Sequence, residues 1–136
     1  ERDALQEYIA EHSLNATIVD SPDNETLVEL YKQAKIFACP SRGKEGVLTT
    51  MLEAGAAGCA IVTASGSGMT DLAVDRQNSR VVTPGDVDAL TASFTELLAD
   101  TPARLQLAAT MQSAIHTAWS WDKKAEELEE LYGKAL

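Results

Sequence analysis

The sequence is poor in positive charge. Eleven Lys and Arg stand against 21 Asp and Glu, a formal net charge of −10. That balance excludes nucleic acid and anionic membrane surfaces as the main partner. A phosphate site on such a chain has to be built from local backbone dipoles rather than from a basic surface. Long apolar runs are also missing: nothing reaches the roughly 18 residues of a membrane-spanning helix, and the first residues do not resemble a signal peptide. Only two Cys and two His are present. Cys39 and Cys59 sit among apolar or small residues, which reads as two buried free thiols in a reducing compartment rather than a disulfide. No His accompanies them at ligand spacing, so no metal is assigned, and no cofactor is assigned either. His12 and His116 lie far along the chain from the motif described below. The expected location is cytoplasmic.

What remains is ordinary for a folded domain. At 136 residues, 45% hydrophobic and 24% charged, the chain is one domain that buries about two-thirds of its unfolded surface. Leu5, Tyr8 and Ile9 give a first amphipathic helix running to about His12. Residues 16–20, Ala-Thr-Ile-Val-Asp, are expected to form a strand. Asp23 or Asn24 then caps a helix with Leu27, Leu30, Tyr31 and Ala34 on one face. Residues 36–39 and 60–63 read as buried strands, and 80–83 as another. A helix with Leu90, Phe94, Leu97 and Leu98 inward follows. Asp100-Thr101-Pro102 caps and opens the next, with Leu107, Met111 and Ala114 inward. Ser120 caps the last, whose inner face is Trp121, Ala125, Leu128 and Tyr132. Four strands alternating with helices specify a parallel α/β sheet, Rossmann-like and covered on both faces.

The stretch from residue 40 to 58 organises the rest. It opens Pro40-Ser41-Arg42-Gly43-Lys44-Glu45-Gly46, after a strand, and continues Val47-Leu48-Thr49-Thr50-Met51-Leu52-Glu53 with helical spacing. Gly55 and Gly58 mark where that helix frays and stops. Its first N–H groups, around Gly46 to Thr49, have no intrahelical partner and carry the positive end of the helix dipole. Gly46 lets a phosphate approach the backbone. Glu45 and Glu53 bracket that anion site, separated by about 12 Å of helix rise. Acceptor-only carboxylates suit vicinal hydroxyls, so either one acid meets a sugar and the other a ribose, or the two are a loop acid and a solvated helix acid of an acidic chain. The loop of residues 65–68, with Ser65 and Gly66, leaves another strand's carboxyl end, where ligands of such sheets bind. Both loops are therefore expected to face one crevice. Arg42 and Lys44 either steer a phosphate or are solvated loop cations. Ser65 and Ser67 either bond a ligand or form a plain turn. The hydroxyls of Thr49 and Thr50 reach phosphate or a helix carbonyl. Trp119 and Trp121 read as packing anchors, and Glu126, Glu127, Glu129 and Glu130 as a solvated helix face.

Pro-Ser, Glu-Gly and Leu-Glu-Ala in this order closely resemble the E-x7-E donor-binding motif of family-4 (group 1) retaining glycosyltransferases, enzymes of the GT-B fold. The likeness continues through residues 58–63, 68–71 and 81–86 and through Ser120-Trp121 to Leu131-Tyr132, so it covers nearly the whole chain. It implies a single, truncated nucleotide-sugar-binding domain spanning residues 1–136, the partial C-terminal half of such an enzyme. It implies Glu45 as the catalytic-side acid and Gly46, Val47, Leu48, Thr49, Glu53, Ser65 and Gly66 as donor-binding residues. The implied ligand is a UDP-, ADP- or GDP-sugar, used to build a polysaccharide or glycolipid.

The resemblance also implies elements that nothing in the sequence matches: an upstream strand and glycine loop, an Arg and a Lys that hold the diphosphate, and an N-terminal acceptor-binding domain. Weak nucleotide binding and no turnover are therefore expected of this chain alone. Local departures include one extra residue before Glu45, Ala60 in place of Pro, Asp71 in place of Glu, and Ser67 and Ser79 in place of glycines. A nucleotide-sugar epimerase of the same fold and a non-catalytic binding scaffold are the alternatives.

Overall fold

A computed structural model describes residues 2–43, 46, 48–66 and 68–135. The chain order is α1 (Arg2–Glu11), α2 (Asn24–Gln33), β1 (Ile36–Cys39), α3 (Thr49–Ala56), β2 (Ala60–Ala64), a 3₁₀ turn (Gly68–Asp71), β3 (Ser79–Val82), α4 (Val87–Ala99), α5 (Thr101–Ala118) and α6 (Trp121–Ala135). The three strands form one parallel sheet in the order β1-β2-β3. Cys39 lies opposite Thr63, and Ala64 opposite Val82, so all three strands end on the same side of the molecule. The loops after β1 and β2 leave that one side, as expected.

Alternation along the strands divides the core into two layers. Phe37, Cys39, Ile61 and Val81 pack with Tyr31, Met51, Ala54, Met111 and Ile115 on one face. Ile36, Ala38, Ala60 and Val62 meet Leu90, Leu97, Leu107 and Ala108 on the other. The central strand β2 is buried along all five residues, which is why its sequence is apolar without alternation. Helix α5 serves both layers, Leu107 and Ala108 to one and Met111 and Ile115 to the other.

Caps fix the helix boundaries much as the sequence predicts. The carboxylates of Asp23, Asp86 and Asp100 accept from the N–H groups of Thr26, Ala89 and Ala103 at 2.8, 2.8 and 2.9 Å. Ser120 Oγ accepts from the Lys123 N–H at 3.3 Å. Both cysteines are free thiols. Among the described residues no helix is long and apolar enough to cross a membrane.

Three expectations are corrected. Residues 16–20 form no strand and join no sheet, so the described residues hold three strands and not four. β-favouring side chains alone do not make a strand without a neighbouring ladder. Gly55 stands one residue before the end of α3, as expected, but it does not fray the helix: it is buried, and a Cβ there would stand 2.5 Å from Ile115 Cδ1. The helix runs to Ala56 and is closed just beyond its cap by Gly58, whose φ of 94° suits glycine. The N–H groups of Gly58 and Cys59 donate to the carbonyls of Gly55 and Ala54, the paired closure of a Schellman cap. Finally, the expected inner face of α6 has no cover among the described residues. Trp121 is 87% exposed, and Leu128 and Tyr132 are exposed with it, as is Leu98 on α4. Amphipathic spacing identifies a face that can be buried; it does not supply the surface that buries it.

The exposed area agrees. A compact chain of 14.6 kDa presents about 6,900 Å² by the surface–mass relation. This one presents 9145 Å². The excess resides in α1, which buries no residue, in α6, and in the unpaired stretch that ends at Asp20.

Candidate functional site

At the carboxyl end of the sheet the three loops lie side by side. The Ser65 N–H donates to Val82 O at 2.8 Å, tying the β2 loop to the end of β3. Gly66 turns that loop with φ 84° and has open space around it. Across the sheet, Arg42 Nε stands 3.7 Å from the position a Cβ would take on Gly85. The β1 loop therefore meets the β3–α4 loop. Within the β1 loop, the Gly43 N–H donates to Ser41 Oγ at 3.2 Å.

Helix α3 begins at this end with no side-chain cap. Its first backbone bonds run from Met51 N and Leu52 N to Leu48 O, at 3.0 and 3.2 Å. The N–H groups of Thr49 and Thr50 precede them and belong to the positive end of the helix. Both threonines are exposed. The space beside Gly46 is open too. Leu48 packs its side chain against the core, so only its backbone faces the loop. Glu45, Val47, Lys44 and Ser67 lie outside the described residues.

One turn into α3, Glu53 projects from the surface. Its Oε2 accepts a hydrogen bond from the hydroxyl of Tyr31 on α2, at 3.3 Å. Tyr31 itself is buried. Burial pushes its phenol above the ordinary 10.0, and the Glu53 carboxylate pushes the same way, because both disfavour the phenolate. Glu53 stands on a ridge between two grooves. One, of about 640 Å³, runs between α2 and α3 past Asn24, Leu27, Tyr31 and Lys32. The other, of about 410 Å³, lies between α3 and the α5–α6 junction and is walled by Leu52, Ile115, Trp119 and Trp121, with Thr49 and Lys124 beside them. Trp119 packs on the core and carries the Lys124 ammonium 4.7 Å from its ring centroid.

The structure thus brings Thr49 and Glu53 onto one helix face at one groove. Ser65 and Gly66 stand on the neighbouring loop, bonded to β3 rather than to α3. Sequence reasoning read Tyr31 only as a core residue; the one clue was a tyrosine, with its polar tip, at a position where phenylalanine would pack equally well. Among the described residues no cluster of three or more His, Cys, Asp or Glu is arranged to hold a metal ion. His12 stacks on Tyr8 at 4.1 Å, on the exposed helix α1.

Residues 1–114 match the family model described as "Glycosyl transferases group 1". The chain belongs to the group 1 glycosyltransferases. A curated group 1 relative, the GDP-mannose-dependent alpha-(1-6)-phosphatidylinositol monomannoside mannosyltransferase of Mycolicibacterium smegmatis, is 34% identical over 79% of this chain and 30% of its own length. Among solved structures, sucrose-phosphate synthase from Thermosynechococcus elongatus superposes with a TM-score of 0.87 at 23% identity, over 98% of this chain and 34% of that one. Anabaena HepE in complex with UDP-glucose gives a TM-score of 0.74 at 21% identity, over 84% of this chain and 32% of that one. These likenesses show the fold, that of the C-terminal half of GT-B glycosyltransferases. The chain spans about a third of the length of the relatives it matches.

Proposed function

We propose that this chain is the donor-binding domain of a retaining glycosyltransferase, holding a nucleoside-diphosphate sugar at the amino end of α3. The observation that carries the proposal is the placement of Glu53. An exposed carboxylate stands four residues, about 6 Å of rise, beyond the leading N–H groups of a helix whose N-cap, Leu48, offers no side-chain cap, at the edge of a groove. Helix-leading N–H groups suit a pyrophosphate, and an acceptor-only carboxylate suits the ribose diol of the same nucleotide. On this reading Gly46, Val47, Leu48 and Thr49 offer backbone N–H groups to the phosphates. Ser65 and Gly66 flank the ligand from the β2 loop. Glu45, which lies before the helix, meets the sugar and serves as the catalytic-side acid.

The reaction is departure of the nucleoside diphosphate from the anomeric carbon while an acceptor hydroxyl attacks from the same face. Charge gathers on the leaving oxygens, and fixed N–H dipoles stabilise it without reorganising. The acceptor is a growing polysaccharide or glycolipid, bound by a further, acceptor-binding domain that covers surface this chain leaves exposed. The GDP-mannose-dependent relative and the UDP-glucose-bound neighbour support a nucleotide-sugar donor and leave the base open between them.

The test is calorimetric titration of the chain with UDP, ADP and GDP, repeated on Glu53→Ala. Binding by the wild type that weakens about ten-fold in E53A supports the reading, the size expected for a charge-assisted hydrogen-bond pair. Equal binding by both proteins removes Glu53 from the site. Absence of binding by either favours a scaffold that retains the fold without the ligand.

A further inference from the structure

We propose that Tyr31 is the positioning residue for this site, holding one oxygen of Glu53 so that the other is presented to a vicinal diol in the groove between α2 and α3. The proposal rests on the reading of Glu53 as the ribose-binding acid. Three features of Tyr31 carry it. Its side chain is 7% exposed, and the ring meets Phe37 edge-on at 5.9 Å and 75°. The Cys59 thiol donates to its backbone carbonyl at 3.2 Å, which fixes the same residue from below. None of this packing needs a hydroxyl; phenylalanine would serve it. The hydroxyl's partner is Glu53 Oε2, and Oε1 has no hydrogen-bond partner among the described residues.

The chemistry follows from that asymmetry. A solvent-exposed glutamate is free about three side-chain torsions and loses that freedom when a ligand captures it. A phenol anchored in the core removes much of the loss before the ligand arrives, which is preorganisation. Each carboxylate oxygen has two lone-pair sites, so Oε2 can keep the phenol while Oε1 and the remaining lone pair receive adjacent hydroxyls. The groove on this side of Glu53, about 640 Å³, is of the size that holds a small-molecule ligand. The ligand class selected is a ribonucleoside diphosphate, and the feature read is its pair of ribose hydroxyls.

The experiment compares UDP and GDP with their 2′,3′-dideoxy analogues by titration calorimetry on the wild type, Tyr31→Phe, Glu53→Gln and the double variant, with circular dichroism confirming that each is folded. Tyr31→Phe is expected to lose about five-fold in affinity for the ribonucleotides, the worth of one hydrogen bond, and nothing for the dideoxy analogues. The double variant is expected to bind no more weakly than E53Q alone. Equal losses of Y31F on both ligand types, unchanged binding by Y31F, or additivity with E53Q would overturn the role of Tyr31 while leaving Glu53 in place. If E53Q binds ribonucleotides as the wild type does, or the wild type binds none at millimolar concentration, the reading of the site falls and the inference with it.

Discussion

Replacing Gly55 by alanine sets two known effects against each other inside α3. The substitution removes a helix glycine, which favours the folded state by about 1 kcal/mol. The new methyl would also stand 2.5 Å from Ile115 Cδ1 and 3.1 Å from Met111 Cγ. Carbon contacts settle near 3.5–4.0 Å, so Ile115 has to move by roughly 1 Å. Met111 is fully buried, and Ile115, 5% exposed, has open space only toward the groove between α3 and the α5–α6 junction. Overpacking of this kind costs about 1–3 kcal/mol, so the clash outweighs the propensity and G55A is destabilised by about 1 kcal/mol net. For a chain of this length that lowers Tm by about 3–4 °C. The decisive variant is Gly55→Ala with Ile115→Val, which removes the methyl in the way. I115V alone costs about 1 kcal/mol. The double variant is expected to be more stable than the sum of the two by about 1 kcal/mol, a coupling readable in urea or thermal unfolding. Strict additivity, or a G55A protein more stable than wild type, would show that α3 and α5 do not approach each other at Gly55 as described.

Arg80, nearly buried on β3, pairs with Asp75 and Glu96 at 3.3 Å each, yet its Nε and Nη1 lack well-formed hydrogen bonds. Arg80→Met is expected to leave Tm unchanged or raise it, since a half-satisfied buried charge is often worth less than an apolar side chain; a fall of more than about 1 kcal/mol in unfolding free energy would contradict this. Leu128→Glu on the uncovered face of α6 is expected to change unfolding free energy by less than about 0.5 kcal/mol, and a large loss would mean that α6 is packed in solution. The raised Tyr31 phenol implies that the unfolded chain ionises first, so this residue's contribution to stability is intact below pH 10 and falls as pH rises past it. Absorbance at 295 nm should show a component titrating above pH 10 that Y31F removes.

Much of the fold is local in origin, and that part was legible. Strand, loop and helix around residues 36–58, the caps at Asp23, Asp100 and Ser120, and the two-sided burial of β2 all follow from near neighbours along the chain. The failures share a non-local cause. Residues 16–20 carry the side chains of a strand, but pairing needs a second strand alongside them. Leu128 and Tyr132 carry the spacing of a buried face, but burial needs a covering surface. Gly55 does stand in the last turn of α3, but the contact that keeps it a glycine, the Ile115 methyl, lies sixty residues away. The proposed site divides the same way. Glu53 and the leading N–H groups of α3 share one helix and so one stretch of sequence, whereas the bond from Tyr31 joins two elements and is visible only in three dimensions.

The central claim is that the amino end of α3 cradles a nucleoside diphosphate. Its most direct test is a ¹⁵N-resolved titration of the chain with UDP and with GDP. Saturable, concerted shifts of the Gly46, Thr49, Thr50 and Glu53 amides are expected, with α6 unmoved. Spectra in which those amides stay still while others saturate would place the ligand elsewhere and contradict it.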